Sequence, residues 1–515
     1  MYRDHTRAGA YWSIVNRAIR RVGILMMTLV VLLLANDSYI QGINADGYAN
    51  NPFNLRRLYD QYSVRRGLVT AADGTVLASS APTSDKLKYL RTYANGPLYA
   101  PVTGYYSVTS GAHGLEYAEN EVLNGSDPRL ELRRLTDLTS GATAGGDVQL
   151  TIDPKVQAAA YDTMVRDGFT GAAVAIQPST GQILGMVSVP SYDPNKLATH
   201  DTAAAQSAYN GYDPQSVTSP LINQAVSQAY APGSTFKLVV SAAALSAGVD
   251  DENTPNLPAA PRITLPGTST TLENFDGETC PQSVDGQVSM KTALAYSCNT
   301  AFATLAGQVG ASGLSAQAAK FGFGSSDLTV PLGVVSSCVG PSSGGNCLNI
   351  PNGAAGLYQS GIGQLDVQET PLQDAMIAAT IANGGKEMRP QLVKALQAPD
   401  LSDIEGFTPQ TLNSEVISPD VAATLTQMME ASESHSGMAG KNPAITIASK
   451  TGTAEHGPDP KNVQPYGWYV AFAPATNPQI AVAVVVTSGG HLDLATVGAQ
   501  VAGPVGRAMI NAAVG

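Results

Sequence analysis

An unbroken apolar run near the start of the chain is the feature that most limits how these 515 residues can be arranged. Residues 22–35 read VGILMMTLVVLLLA and lie between Arg21 and Asp37. An α-helix satisfies its own backbone hydrogen bonds, so it is the structure that such a segment adopts in a lipid bilayer. The run is short, since about 20 apolar residues span a bilayer comfortably. Ile19 and Arg20 can lengthen it, because arginine side chains reach back to the membrane surface.

The charges around this run predict its orientation. The first 21 residues carry a net charge of +4, while the whole chain carries −12. Positive segments stay in the cytoplasm, so we predict a cytoplasmic basic tail at 1–21 and a transmembrane anchor at 22–40. The protein is then a single-pass protein of the cell membrane with its body outside the cell. A cleaved signal peptide is the alternative, although no clean small-x-small cleavage site follows the run.

The composition excludes several classes of protein. Hydrophobic residues make up 43% and charged residues 14%, which is typical of a folded chain with room for two or three domains. The acidic body argues against a nucleic-acid partner, which would require a basic face. The six His and four Cys have no metal-ligand spacing, so we expect no metal and no cofactor.

The order of patterned segments predicts the domains and the fold class. A Gly- and Thr-rich stretch, TSGATAGGD at 139–147, separates a smaller mixed N-terminal domain at 41–147 from a larger domain at 148–515. In the larger domain we predict strands at 172–177 and 183–189, helices at 234–245, 290–305 and 371–383, strands at 444–449, 467–473 and 479–487, and a terminal helix at 495–513. Two strands, a helical block and three further strands can close as one sheet packed between helices, an α+β fold.

Three short motifs contain the candidate catalytic residues. Ser234 and Lys237 are three apart at the start of a predicted helix, so the hydroxyl and the amine lie on one face. A serine beside an amine at a helix N-terminus is a candidate nucleophile. Ser297 and Asn299 flank Cys298 in a predicted loop, and Lys450-Thr451-Gly452-Thr453 follows a predicted strand. Gly452 has no side chain, so a ligand can approach the strand edge closely there.

The set of motifs is more specific than its members. Each motif alone is more often an ordinary helix face or turn than a site. In this chain, however, each occurs once, and the three come in the order helix, loop, strand end.

Penicillin-binding proteins and serine β-lactamases share this set of motifs. The chain resembles that superfamily over about residues 60–515, and most closely its monofunctional, membrane-anchored D,D-transpeptidases. The other segments that carry the likeness are 66–67, 73–78, 114–116, 150–153, 156–157, 178–184, 361–364, 370–373 and 468–474. The resemblance implies a five-stranded antiparallel sheet packed between helices, the penicillin-binding transpeptidase fold.

The resemblance also implies the activity and the role of each residue. Ser234 would attack the penultimate D-alanine of a peptidoglycan stem peptide, or a β-lactam antibiotic. Lys237 would be the base, Ser297 a proton relay, and Asn299 a group that orients Lys237 and the substrate. Lys450, Thr451 and Thr453 would bind the terminal carboxylate beside Gly452, and the N–H groups of Ser234 and Thr453 would form an oxyanion hole. Further partners would be the cytoplasmic membrane and proteins of division or elongation.

One departure from the family pattern bears on the competing functions. The second motif reads Ser-Cys-Asn instead of Ser-Asp-Asn, and residues 279–368 contain no Glu that could activate water. We therefore predict a transpeptidase whose acyl-enzyme persists. A D,D-carboxypeptidase or β-lactamase on the same scaffold, and a non-enzymatic β-lactam sensor or scaffold, are the alternatives.

The four cysteines permit three disulfide pairings. An oxidising compartment and short loops favour Cys280–Cys298 and Cys338–Cys347 over the other two pairings. The first bridge would hold the second motif in place.

Overall fold

A computed structural model describes residues 5–44, 59, 61–130, 144–326, 328–341, 347–350, 353–457, 459, 462–490 and 497–515, with side chains from residue 16. The chain divides into two compact units, 1–63 with 84–88, and 64–83 with 89–515.

The first unit is dominated by one long apolar helix. Helix His5–Ser38 continues as a π-helical turn, Tyr39–Ile43. Its 28-residue stretch Asn16–Ile43 has a mean hydropathy of 2.1 and buries none of its apolar side chains within the protein. The bilayer core is about 30 Å thick and an α-helix rises about 1.5 Å per residue. The stretch is therefore long and apolar enough to span a membrane, as predicted for 22–40.

The second unit is built around a five-stranded sheet, the central sheet. All four pairings between neighbouring strands are antiparallel. The strand order across the central sheet is Ala448–Ala454, Tyr466–Ala473, Ile480–Gly489, Phe169–Ile176 and Ile183–Val189. The predicted α+β fold with a five-stranded antiparallel sheet is confirmed.

Helices cover both faces of the central sheet. On one face, helices Pro154–Arg166 and Gly498–Val514 pack on side chains such as Tyr469 and Val484. On the other face, helices Lys237–Ala247 and Pro371–Ala382 pack in a larger apolar core. Strands buried on both faces read as continuous apolar runs, which is why IAVAVVV forms the central strand.

A second, six-stranded sheet combines distant parts of the chain. Its strand order is Asp403–Gly406, Val393–Gln397, Asp147–Leu150, Val69–Thr70, Val76–Pro82 and Tyr89–Tyr93. It contains strands from both sides of the predicted boundary at 147, which remains a prediction.

The remaining helices and strands of the described residues lie outside these two sheets and the helices named above. The helices are Gly96–Thr103, Leu115–Ala118, Asn120–Asn124, Asn195–Ala198, Thr202–Gly211, Gln224–Ser227, Met290–Ala295, Asn299–Lys320, Ala354–Ser360 and Pro419–Ser434, with 3-10 turns at Gly233–Phe236 and Phe275–Gly277. The strands are Tyr105–Ser107, Gly111–His113, Leu257–Pro258, Arg262–Thr264, Thr271–Glu273, Gln287–Val288, Glu387–Met388 and Thr411–Asn413.

Two predicted elements are wrong in their extent. The helix predicted at 290–305 is broken into two, because Ser297 has a left-handed backbone with φ 59° that no helix accommodates. The strand predicted at 444–449 begins at Ala448 instead and contains Lys450 and Gly452, which are paired with Val470 and Trp468. The terminal helix begins at Gly498, and 495–496 lie outside the described residues.

The cysteine pairing is confirmed. Disulfides join Cys280 to Cys298 and Cys338 to Cys347, with Cα–Cα distances of 5.7 and 4.7 Å. The first disulfide links Cys298, which lies between Ser297 and Asn299, to the preceding segment at Cys280.

Candidate active site

Ser234 lies in a single 3-10 turn, Gly233–Phe236, that continues into helix Lys237–Ala247. Gly233 has φ 60°, and a Cβ there would lie 2.5 Å from the Thr453 carbonyl oxygen. The Gly233 N–H donates to the Gly363 carbonyl at 2.9 Å. The turn therefore touches backbone on two sides, which only glycine permits. Ser234 itself is partly exposed.

Lys237 is fully buried and makes contacts with the second motif. Its Nζ donates to the Ser297 carbonyl at 2.7 Å and to Asn299 Oδ1 at 2.8 Å, and lies 3.3 Å from Ser297 Oγ. Among the described contacts it makes no hydrogen bond to the Ser234 hydroxyl. The structure thus brings Lys237, Ser297 and Asn299 together one helical turn from Ser234.

The two lysines of the site have no carboxylate partner within the described part of the chain. Lys450 Nζ donates to Ser297 Oγ at 2.9 Å, so one hydroxyl lies between two amines. Burial, and to a smaller extent the Lys450 ammonium, lowers the pKa of Lys237 well below its ordinary value. Burial lowers the pKa of Lys450 to about 7. A neutral amine can accept a proton, as a general base must.

The turn that carries Ser297 is held from two directions. The disulfide constrains Cys298, which is the N-cap of helix Asn299–Lys320. Asn299 Nδ2 donates to the Glu273 carbonyl at 3.0 Å, which directs Asn299 Oδ1 toward Lys237. The bridge and this bond compensate for the unfavourable backbone of Ser297.

The third motif lies within the edge strand of the central sheet. Lys450 also donates to its neighbour's carbonyl, Thr451 O, at 2.8 Å. A Cβ on Gly452 would lie 2.7 Å from the Pro232 carbonyl oxygen, so this strand packs directly on the Ser234 turn. The Thr453 hydroxyl accepts from the Gly498 N–H at 3.4 Å, at the start of the terminal helix.

A buried ionic network beneath this strand was not predicted from the sequence. Glu433 forms an ion pair with Arg507 at 2.9 Å and accepts from the Tyr469 hydroxyl at 3.1 Å. The Ser449 hydroxyl also donates to Glu433. The network fixes the residue next to Lys450 to two helices. No local pattern marks it, because its members come from four separate segments.

Two buried acids near Ser234 were also missed. Glu369 and Asp374 are both fully buried, and Glu369 Oε1 lies 3.3 Å from the Thr235 hydroxyl. One signal was available: Asp374 is the only charged residue in the apolar helix PLQDAMIAATIA. A lone acid in such a helix indicates a buried carboxyl.

The family comparisons cover most of the chain. Residues 171–511 match the family described as "Penicillin binding protein transpeptidase domain". Residues 66–148 match the family described as "Penicillin binding protein A dimerisation domain".

Curated relatives and solved structures match over nearly the whole length. The chain is 49% identical to the peptidoglycan D,D-transpeptidase PbpA of Mycolicibacterium smegmatis, over 97% of this chain and 99% of that protein. It is 46% identical to the protein of the same name from Mycobacterium tuberculosis, with the same coverage. The ceftriaxone acyl-enzyme of penicillin-binding protein A from M. tuberculosis superimposes with a TM-score of 0.83 at 45% identity, covering 89% of this chain and 100% of that one.

Proposed function

The chain belongs to the family of penicillin-binding protein transpeptidases, and from that premise we propose that it is a serine-type peptidoglycan D,D-transpeptidase. It cross-links stem peptides through an acyl-enzyme on Ser234 and is inhibited covalently by β-lactams. Its relatives of 46–49% identity are named peptidoglycan D,D-transpeptidases. The solved structures that it resembles include acyl-enzymes with ceftriaxone and imipenem.

One observation carries the assignment of residues. Lys237 is an amine whose pKa is lowered well below its ordinary value by burial and by Lys450, and it lies one helical turn after Ser234, bonded to Ser297 and Asn299. A neutral amine beside a serine at a helix start is a nucleophile with its base. Ser234, Lys237, Ser297 and Asn299 are therefore the proposed catalytic residues.

The proposed reaction proceeds in two transfers. Ser234 Oγ bonds to the carbonyl carbon of the penultimate D-alanine while its proton passes to the Lys237 amine. The bond to the terminal D-alanine then breaks, and Ser297 donates a proton to the leaving amine. Lys237 returns a proton to Ser297 through their contact of 3.3 Å. An amine of a second stem peptide then attacks the ester and loses a proton to Lys237. The ester bond breaks, and Lys237 returns that proton to Ser234 Oγ.

Substrate recognition is assigned to the third motif. The terminal carboxylate binds at Lys450, Thr451 and Thr453, and the absent side chain of Gly452 leaves room for the peptide. The N–H groups of Ser234 and Thr453 stabilise the oxyanion. The close approach of the Ser234 turn to the Thr453 backbone supports this role.

The burial of Glu369 favours the transpeptidase over a hydrolase. Glu369 is the carboxyl next to the Ser234 turn, but it is fully buried and contacts Thr235. Burial, with the charge of Asp374, raises its pKa well above the ordinary value. A base that activates water must be ionised and must reach the water. We therefore expect the acyl-enzyme to persist until an amine arrives.

The location and partners follow from the apolar helix and from the family. The tail at 1–21 lies in the cytoplasm, the segment 22–40 crosses the membrane once, and the body lies outside. There 41–147 forms a non-catalytic pedestal for the transpeptidase domain at 148–515. The partners are peptidoglycan stem peptides, β-lactams, the membrane and proteins of division or elongation, so the enzyme acts in cell division or cell shape.

Covalent labelling tests the activity. Purified protein treated with penicillin should gain the mass of one acyl group, on a peptide that contains Ser234. Ser234→Ala should gain none. Ser227→Ala, which changes an exposed serine of the neighbouring helix Gln224–Ser227, should be labelled like the wild type. Labelling of Ser234→Ala at another serine would overturn the assignment. Steady turnover of a chromogenic cephalosporin after the first burst would instead favour the hydrolase.

A further inference from the structure

Two carboxyl groups that the mechanism does not use lie buried behind the Ser234 turn. Glu369 is linked to the loop before Ser234 by two backbone hydrogen bonds with Tyr230, each 2.9 Å long. Asp374 lies in the first turn of helix Pro371–Ala382. Among the residues that the structure describes, neither carboxyl forms an ion pair with a Lys, Arg or His.

The Thr235 hydroxyl has two oxygen neighbours at equal distance. It lies 3.3 Å from Glu369 Oε1 and 3.3 Å from the Pro232 carbonyl oxygen. A hydroxyl has one proton to donate, and a carbonyl or an ionised carboxylate can only accept. If Glu369 were ionised, the two contacts would have to share this one proton in a bifurcated hydrogen bond. If Glu369 is protonated, it donates to Thr235, which then donates to Pro232, and each contact has its own proton.

The rest of the carboxyl pair agrees with a neutral Glu369. Glu369 Oε2 and both carboxyl oxygens of Asp374 have no hydrogen-bond partner within the described residues. An ionised carboxylate buried without partners is very costly, so such a group takes up a proton. Burial, and then the nearby Asp374, raises the pKa of Glu369 well above its ordinary value, and burial raises the pKa of Asp374 to about 7.

The turn held by Glu369 is the one that faces the third motif. Thr235 directly follows Ser234 in the chain. A Cβ built on Gly452 would lie 3.1 Å from Thr235 Cγ2 and 2.7 Å from the Pro232 carbonyl. The two oxygens that Thr235 bridges therefore determine how the Ser234 turn packs on the strand that carries Lys450.

We propose that Glu369 is a positioning residue for the acylation of Ser234: a carboxyl kept neutral by burial beside Asp374, which donates to Thr235 and so fixes the Ser234 turn against Gly452. This inference rests on the proposed acylation of Ser234. Glu369 touches neither the substrate nor the reacting atoms. It acts through the Thr235 hydroxyl and the Pro232 carbonyl.

Acylation rates of matched variants test the positioning role. Glu369→Gln keeps a neutral donor of the same shape and should acylate with penicillin within about twofold of the wild-type rate. Glu369→Met keeps the length but cannot donate, so it should be about 2- to 10-fold slower, the effect of one hydrogen bond. Thr235→Val should lose a similar factor, and the double variant no more than either alone. Glu387→Met, at another buried acid, should leave the rate unchanged.

Infrared spectroscopy tests the protonation state directly. The wild type at neutral pH should show the carbonyl band of a protonated carboxylic acid that Glu369→Gln removes and that shifts when penicillin acylates the protein. Burial raises the pKa of Glu387 to about 8, so Glu387→Gln should remove a band that acylation does not shift. If Glu369→Gln removes no such band, Glu369 is ionised and the proposal is wrong.

The outcomes separate the two proposals. Equal acylation rates of Glu369→Met, Thr235→Val and wild type would overturn the positioning role while leaving the transpeptidase intact. A wild-type protein that is never acylated would overturn the proposed function instead. If Glu369→Met does not fold, as judged by circular dichroism, Thr235→Val and the infrared spectra of wild type and Glu369→Gln still decide the question.

Discussion

Two of the buried clusters of charged side chains in the second unit differ in how their charges are paired, one in the N-terminal part of that unit and one at the proposed active site. In the N-terminal cluster, Glu116 forms ion pairs of 2.6 Å with both Arg66 and Arg91. In the active-site cluster, Lys237 and Lys450 share the hydroxyl of Ser297 and have no carboxylate partner among the described contacts. All four cationic side chains of the two clusters are nearly or fully buried.

The two clusters differ in what burial does to the charges. Burial alone would raise the pKa of Glu116, but Arg91 and Arg66 hold it below its ordinary value. Glu116 therefore stays ionised at neutral pH, and the cluster also holds the chain at Gly67, whose carbonyl accepts from Arg91 at 2.6 Å. In the lysine cluster burial is not offset, so the pKa of each lysine falls. The paired charges of the N-terminal cluster stabilise the fold. The unpaired lysines of the active-site cluster have lowered pKa values, so that one of them can act as a base.

The largest expected effect is on the acylation rate, when the unpaired Lys237 is replaced. Lys237→Ala should slow acylation by at least ~10²-fold, the usual contribution of a general base. The free energy of unfolding should decrease less than for the loss of a buried ion pair, because only hydrogen bonds and packing are lost. Acylation kinetics and denaturant unfolding measure the two quantities. Lys386→Ala, at an exposed lysine, is the control, and unchanged acylation of Lys237→Ala would contradict the base role.

Replacing Glu116, the paired charge, should have the opposite effects: the protein becomes less stable, but its acylation rate does not change. Glu116→Gln leaves two buried guanidinium groups without their carboxylate and should lower the free energy of unfolding by about 3–5 kcal/mol. The acylation rate of the folded fraction should stay unchanged. Glu121→Gln, in the neighbouring helix Asn120–Asn124, changes an exposed acid and should have little effect. A loss below about 1 kcal/mol for Glu116→Gln would show that the pairs are not needed for stability.

The two clusters should also respond to pH in opposite directions. The pKa of Glu116 is lowered in the folded state, so its stabilisation is present at neutral pH and is lost as the pH falls through that lowered value. Acylation needs neutral Lys237 and charged Lys450, and the pKa of Lys450 is about 7. The acylation rate should therefore fall as the pH rises above about 7. A rate that keeps rising to pH 9 would exclude the need for a charged Lys450.

The smallest effect is expected where charges are paired but exposed. Arg129 and Glu405 are also 2.6 Å apart, but their side chains are 45% and 63% exposed. Water screens such a pair, so Glu405→Gln should change the free energy of unfolding by less than about 1 kcal/mol. A loss comparable to that of Glu116→Gln would mean that burial is not what separates the two pairs.

The sequence predicted the elements whose signals are local. The strand runs at 172–177, 183–189 and 479–487 and the helix at 371–383 agree closely with the structure. The apolar pattern of each segment is continuous, so its period reveals the structure. The three motifs were found in the same way, from residue types a few positions apart.

The missed features depend on contacts between distant segments. The break at Ser297 is supported by a disulfide and by Asn299, and local propensity favours an unbroken helix there. The later start of the strand at Ala448 reflects its pairing with Phe472. Glu369 and Glu433 look like surface acids until the packing that buries them is known. Neither periodicity nor spacing records such packing.

The connectivity of the sheets has a consequence for biogenesis. The first hairpin of the central sheet spans Phe169–Val189. Its first strand, Phe169–Ile176, has its second partner in strand Ile480–Gly489, about 300 residues later in the chain. Likewise, strand Asp147–Leu150 of the six-stranded sheet pairs with strand Val393–Gln397, which is made much later. Such long-range pairings form late, and unpaired edges promote aggregation. During synthesis both sheets therefore have unpaired edges until their late strands are made, and a chain that stops before residue 480 cannot close its central sheet. Assembly of this enzyme depends on what protects those edges until the last strand is in place.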